Sequence, residues 1–370
     1  MAASRRGSRA RVPVISSIAT AVPAFSATQD EIKAAFRPLF ALEGRRLEAA
    51  MTFFERTEID TRHSILSLEE VSQPRTLTET MQVYATHARA LGERVARACL
   101  RRAAVSADEV DVLITVSCTG VMIPSLDAFL MDALHTRRDV VRLPITELGC
   151  VGGAASLARA HELVRARPDR RALVIAVELP SLSLQRRDVT IDNLVASAIF
   201  GDGAAAVLVS GDATPEATAT GGDLARVRIL DALCHTRPAS TDALGFDLHE
   251  DGFHAVLSKH VPAYVREDLR PAVARLAAGA GVDVAALGAF VLHPGGPKIL
   301  GAAEEALGLP RALTQPSWDV LRAYGNQSSA SVLFVLERWM EASRPARGTR
   351  GVLAAFGPGL TTELLLLEWT

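Results

Sequence analysis

Short runs of apolar and β-branched residues alternate along this chain with Ala/Leu/Arg-rich stretches of helical period, and that alternation constrains the fold more than any other feature. Val110 to Ser117 reads as a strand, Leu126 to Leu134 as a helix, and Leu173 to Glu178 and Ala204 to Ser210 as strands. Strands separated by helices of that length predict parallel β-α-β connections and a sheet covered on both faces, hence an α/β protein. An internal echo extends this reading. Phe200-Gly-Asp-Gly leads into AAAVLVS, and Phe356-Gly-Pro-Gly leads into TTELLLLEW near the C terminus. Two similar glycine turns feeding two similar strands suggest two homologous halves, against the alternative of a common turn-plus-strand pattern recurring by chance. The polar, Gly/Thr-rich stretch Gly211 to Asp223 is the best candidate linker. It divides a first half, residues 12–222, from a second, residues 223–370, after a disordered tail over residues 1–11.

At 370 residues and 49% hydrophobic, the chain can bury a large core, which excludes a small binding module. A net charge of -2 and a pI near 6.5 leave no basic footprint for nucleic acid and no polybasic membrane patch. The apolar stretch from Val12 is interrupted by Pro13 and Pro23 and does not read as a signal peptide. No run approaches the roughly 20 apolar residues of a spanning helix. Cys99, Cys118, Cys150 and Cys234 lie far apart with no CxxC pair, which predicts free thiols, a reducing compartment and no structural zinc. A cytoplasmic protein is expected.

Three loops carry the chemistry. Cys150 sits in LPITELGCVGGAASLARAHELV, where a strand-like entry meets a glycine turn and then a helix. That placement puts the thiol near a helix N terminus, where free N–H groups and the helix dipole favour the thiolate. A lone cysteine is more often an inert core residue, so its partners matter. His293 opens HPGGPKIL after the strand GAFVL and projects from a strand end into a tightly held loop. Asn326 lies in AYGNQSSASVLFVLERW, before a helix from Ser328 to Trp339, and taken alone it reads as a turn or cap residue. Together the three have complementary roles. A histidine can hold a thiolate as an ion pair, and His with Asn can donate hydrogen bonds to a thioester oxygen as enolate charge develops. That chemistry needs no metal.

The blocks GCVGGAASL, IFGDGAAAVLV, HPGGPKIL, YGNQSSASVLF and FGPGLTTELLLL resemble, in order, those of the type III polyketide synthases, the chalcone-synthase-like enzymes. The resemblance runs from about Val14 to Trp369. It implies a thiolase-like αβαβα fold of two pseudo-repeated halves, a homodimer, and an internal cavity reached by the pantetheine arm of CoA. It also implies that Cys150 carries the acyl chain, while His293 and Asn326 promote decarboxylation of malonyl-CoA and stabilise the enolate. Phe200 matches a gatekeeping aromatic, with plain core packing as the alternative. Gly295 and Gly296 would pass the pantetheine arm, and Lys298 or Arg56 would meet the CoA phosphates. In the segment Cys118-Thr119-Gly120-Val121-Met122-Ile123, Ile123 matches a residue that crosses the dimer interface into the partner's cavity. The other cavity positions are Cys118, Thr119, Pro180, Ser183, Phe246, Ala255 and Phe356. Plant enzymes carry phenylalanine where this chain has Ala255, which suggests a cavity opened toward an apolar space. Cys118 is either a second cavity thiol, as in bacterial tetrahydroxynaphthalene synthases, or a small buried hydrophobe.

The activity so implied is decarboxylative Claisen condensation of malonyl-CoA onto a medium- or long-chain acyl-CoA starter, followed by closure to an alkyl-α-pyrone or alkylresorcinol. Synthesis of 1,3,6,8-tetrahydroxynaphthalene from malonyl-CoA alone is the second reading. A ketoacyl-ACP synthase III shares the Cys-His-Asn set and the fold, but its histidine and asparagine blocks read differently. A Cys-His-Asn protease shares the chain order and would need a CGSCW-type segment that is absent around Cys150. A binding protein that lost its chemistry has no need of all three residues. No cofactor beyond the CoA thioesters is expected, nor a nucleic-acid or membrane partner.

Overall fold

A computed structural model describes residues 11–218 and 225–370. Residues 1–10 of the expected tail and the expected boundary near residue 222 lie outside the described residues. The first half holds β1 (Val14–Ala21), β2 (Phe25–Thr28), β3 (Thr61–Ser64), β4 (Val112–Val116), β5 (Val141–Ile145), β6 (Arg171–Glu178) and β7 (Gly203–Ser210). The second holds β8 (Val227–Thr236), β9 (Leu244–His249), β10 (Gly252–Leu257), β11 (Leu287–Leu292), β12 (Arg350–Gly357) and β13 (Thr361–Trp369). Nine of these join in the order β11-β12-β13-β8-β1-β7-β6-β4-β5, while β2–β3 and β9–β10 form separate ribbons.

The strand directions repeat. In the first half β4 runs parallel to β6, β6 antiparallel to β7, and β7 antiparallel to β1. In the second, β11 runs parallel to β12, β12 antiparallel to β13, and β13 antiparallel to β8. The halves meet where Val14 and Ile15 of β1 pair with Arg228 and Val227 of β8. The two glycine turns therefore feed equivalent strands, β7 and β13. The expected parallel β-α-β connections join β4, β5 and β6 but do not extend to β7, which pairs antiparallel with both neighbours.

Helices Gly152–Ala166 and Ser331–Arg338 lie between the halves, each touching strands of both. Leu77–Ala103 covers the outer face of the first half, and Val261–Gly279 covers that of the second. These are the five layers of a thiolase-like αβαβα fold. Residue alternation sorts the strands into them, because successive side chains leave a strand on opposite faces. In β6, Ala172, Val174 and Ala176 face the central helices, while Leu173, Ile175 and Val177 face the outer ones. In β13, Leu365 and Leu367 face inward and Leu364 and Leu366 outward. Burial on both faces explains the unbroken apolar runs in the sequence.

The central helices pack unusually close. A Cβ at Gly153 would lie 2.1 Å from the Ser329 carbonyl oxygen, so only glycine lets the two backbones meet. Ser331–Arg338 is buried from Ser331 to Leu336, as an all-round apolar helix in a middle layer must be. The outer helix from Leu77 starts at a reciprocal cap: Thr76 Oγ1 accepts from the Glu79 N–H at 3.2 Å, and the Glu79 carboxylate accepts from the Thr76 N–H at 2.8 Å. No helix among the described residues is long and apolar enough to cross a membrane.

Candidate active site

Cys150 stands on a single helical turn, Gly149–Val151, that leaves β5 and runs directly into Gly152–Ala166. The turn depends on Gly149, which adopts φ +53° and whose Cβ, were there one, would lie 2.6 Å from the Pro358 ring. Pro358 belongs to the second glycine turn, so the two halves of the chain jointly set the position of the thiol.

Asn326 approaches Cys150 from the other side. Its amide nitrogen lies 3.9 Å from Cys150 Sγ and 3.4 Å from the Gly295 carbonyl oxygen. Its side-chain oxygen accepts from the Ser328 N–H at 2.8 Å and the Ser331 hydroxyl at 3.3 Å, which fixes the amide orientation. Backbone bonds tie Asn326 to the segment around Phe200: Asn326 N–H donates to Ile199 at 2.8 Å, and Gly201 N–H donates to Asn326 at 3.0 Å. His293 follows β11, is buried, and carries no hydrogen bond on either ring nitrogen. Its ring packs against Gly295, so the Gly295 carbonyl links histidine loop and Asn326.

Burial pushes the Cys150 thiol up to about 11 and the His293 imidazole down to about 3. Both shifts arise from withdrawing a lone charge from water. The helix N terminus therefore does not by itself yield the thiolate expected from the sequence. A thiolate and an imidazolium formed together would carry no net charge, which lowers the cost of ionising both in a buried site.

Phe200 is half-buried, its ring 6.2 Å from that of Phe246, which in turn meets Phe253 edge-on at 6.2 Å. Ala255 sits directly across the β9–β10 ribbon from Phe246 and so shares its face, offering the ring only a methyl group there. Phe356 is buried and belongs to the cluster against which Phe200 packs. Pro180, Ser183 and Phe200 line a cavity of about 330 Å³ that Cys150, His293 and Asn326 do not line. Gly295 and Gly296 lie between His293 and the helix Pro297–Leu307, on whose first turn Lys298 is exposed. Arg56 is exposed at the end of the helix Gly44–Glu55. Ile123 is 94% exposed, on the same loop as half-exposed Val121.

Glu178, at the end of β6, is fully buried and was not singled out from the sequence. It accepts from Thr119 Oγ1 at 2.8 Å, from the Cys118 N–H at 3.2 Å and from Ser329 Oγ, and burial raises its pKa. The Cys118 thiol lies 3.6 Å from that carboxylate and 3.2 Å from Ser328 Oγ. Cys118 is thus a polar-bonded thiol at the site, and burial raises its pKa well above the ordinary range. No cluster of His, Cys, Asp and Glu able to hold a metal ion occurs among the described residues.

The N-terminal domain model of the chalcone and stilbene synthases matches residues 3–213, and the C-terminal domain model matches residues 229–369. The chain belongs to this family. It is 37% identical to 1,3,6,8-tetrahydroxynaphthalene synthase of Streptomyces peucetius subsp. caesius, over 96% of this chain and 93% of the relative. It is 28% identical to the alpha-pyrone synthesis polyketide synthase-like Pks18 of Mycobacterium tuberculosis, over 96% of this chain and 91% of that one. The crystal structure of tetrahydroxynaphthalene synthase from Streptomyces coelicolor, a bacterial type III polyketide synthase, superposes with a TM-score of 0.88 at 33% identity, covering 95% of this chain and 98% of that one. This chalcone-synthase-like chain is accordingly a type III polyketide synthase, an acyltransferase that condenses malonyl-CoA.

Proposed function

We propose that this polyketide synthase loads a medium- or long-chain acyl group onto Cys150, extends it with malonyl-CoA, and closes it to an alkyl-α-pyrone or alkylresorcinol. The observation that carries the catalytic assignment is the position of Asn326, which touches the Cys150 sulfur and the histidine loop at once. In loading, the thiolate attacks the acyl-CoA carbonyl, a new C–S bond forms, and the CoA thiolate leaves with the proton held by His293. In extension, the C–CO2 bond of malonyl-CoA breaks, CO2 leaves, and the electron pair becomes an enolate whose oxygen accepts from His293 and Asn326. The enolate carbon then attacks the Cys150 thioester, forming a C–C bond and releasing the thiolate. Gly295 and Gly296 border the pantetheine path, with Lys298 and Arg56 at its phosphate end.

Phe200, facing Phe246, gates that path. Ala255 leaves room above Phe246 for an apolar chain. The chain divides functionally near residue 222, with the nucleophile on the first half and its two partners on the second. It acts as a homodimer, which the exposed apolar Ile123 and Val121 support.

The names of the Streptomyces relatives and the bonded thiol of Cys118 favour a second reading, 1,3,6,8-tetrahydroxynaphthalene from malonyl-CoA alone. Incubating the enzyme with malonyl-CoA, with and without decanoyl-CoA, decides between them by product mass. Decanoyl-derived pyrones support the first reading. Efficient pentaketide formation with no acyl-CoA sinks it.

A further inference from the structure

Behind Phe200 lies the cavity of about 330 Å³ already noted. Its walls are largely apolar, with Ile32, Phe36, Leu66, Val71 and Leu184 among them. It reaches the surface at Phe25, which is half exposed. Ten of the residues that line it are polar, and two of these, Arg62 and Ser197, carry buried side-chain atoms with no hydrogen-bond partner.

Arg62 is buried and lines the cavity. Its Nη1 donates to the Ser197 and Phe200 carbonyls at 2.7 Å each, and its Nε donates to Gln29 Oε1 at 3.1 Å. A guanidinium has five N–H donors, and the two on Nη2 have no partner. Ser197 Oγ, also buried and also lining the cavity, has none either. Both residues meet at one helix end, since Ser197 belongs to Ile191–Ile199 and Arg62 caps the carbonyls of its last turn. A buried donor without a partner is costly to leave unmet, so two beside one cavity point to an oxygen that enters it. Asp202 already lies in the field of the guanidinium, so the incoming oxygen need not bring a charge.

We propose that this cavity binds the oxygen-bearing end of an apolar molecule, with a carbonyl or hydroxyl oxygen accepting from Arg62 Nη2 and meeting Ser197 Oγ. The molecule has two sources. One is the far end of the chain held on Cys150, an inference that rests on the acyl-loading reading above. The other is a free small molecule entering at Phe25.

The test compares wild type with Ser197→Ala, which removes one donor, and Ala196→Leu, which fills the cavity from the same helix. In the first arm, kcat/KM is measured for 10-hydroxydecanoyl-CoA and decanoyl-CoA. A tethered source predicts that wild type prefers the hydroxylated starter by about three- to tenfold, as one hydrogen bond warrants. That preference should narrow in Ser197→Ala, which leaves Arg62 Nη2 in place, and fall to about unity in Ala196→Leu, which fills the space. In the second arm, calorimetric titration with free 2-decanone and with decane-saturated buffer needs no turnover. A free source predicts that the ketone binds wild type and that binding is lost in Ala196→Leu. Absence of both responses overturns the proposal. Failure of the enzyme to use either CoA ester defeats only the acyl-loading reading, because the calorimetric arm still decides the cavity.

Discussion

The side-chain amide of Asn326 spans Cys150 and the histidine loop, with its nitrogen 3.9 Å from the Cys150 sulfur and 3.4 Å from the Gly295 carbonyl oxygen. Its oxygen accepts from the Ser328 N–H and the Ser331 hydroxyl and lies 4.0 Å from the same sulfur. Donor and acceptor ends therefore do different work: only the nitrogen can donate to an oxygen beside the sulfur, while the oxygen holds the start of the central helix.

Asn326→Asp separates these roles. The aspartate keeps an acceptor for Ser328 and Ser331 but brings no N–H toward the sulfur. Melting temperature should stay near that of wild type, while kcat for malonyl-CoA condensation falls by about 10²–10³, the loss typical of removing an oxyanion donor. Decarboxylation measured by CO2 release, beside a thermal melt, checks this. A variant that retains activity would remove Asn326 from the chemistry.

Cys150 and His293 are each driven to the neutral form by burial, the thiol up to about 11 and the imidazole down to about 3. If the pair ionises together, wild-type Cys150 should react with iodoacetamide at a rate that levels off near neutral pH. In His293→Gln the partner charge is gone, and the rate should climb with pH toward the lone-thiol value of about 11. Superimposable profiles for the two proteins would rule out the ion pair. Tryptic mass mapping distinguishes Cys150 from Cys118.

The strands, the layering of the core and the three loops that carry Cys150, His293 and Asn326 were legible in the sequence, because each is written in a local pattern. Val174 to Glu178 is an unbroken apolar run ending in one acid, as a strand buried on both faces should be. Strand direction was not legible. The segment between β6 and β7 is long enough for a parallel crossover, yet β7 returns antiparallel, and nothing in its composition records that. Glu178 was passed over for a related reason. Its hydroxyl partners Thr119 and Ser329 are 59 and 151 residues away, so no spacing rule joins them. Arg62 and Asp202 likewise become a buried pair only in three dimensions.

Ala255 should set chain length. It lies opposite Phe246 on the β9–β10 ribbon, and a phenylalanine there would fill the space above that ring. Ala255→Phe is expected to lower kcat/KM for decanoyl-CoA by about tenfold, the cost of roughly 1.4 kcal/mol of steric conflict. Activity with acetyl-CoA should change little. Product mass spectra across an acyl-CoA series measure the shift, and an unchanged chain-length profile would place Ala255 outside the path of the substrate.

Ile123 tests the assembly. A large apolar side chain that is 94% exposed, on a loop with half-exposed Val121, is costly to leave in water. Burying it fully against a partner contributes about 1.5–3 kcal/mol per copy. Two copies meeting across a two-fold axis would double that, since each residue of a symmetric interface is used twice. Ile123→Asp replaces the gain with a charge that must be desolvated, so the dimer should dissociate at concentrations where wild type remains associated. Sedimentation velocity at micromolar protein reads this directly, with Val189→Asp, at a 41% exposed position on a different loop, as the control that should leave the oligomeric state unchanged. A wild-type protein that sediments as a monomer would overturn the assignment of Ile123 to an interface, and activity in that monomer would mean that each chain completes its own site.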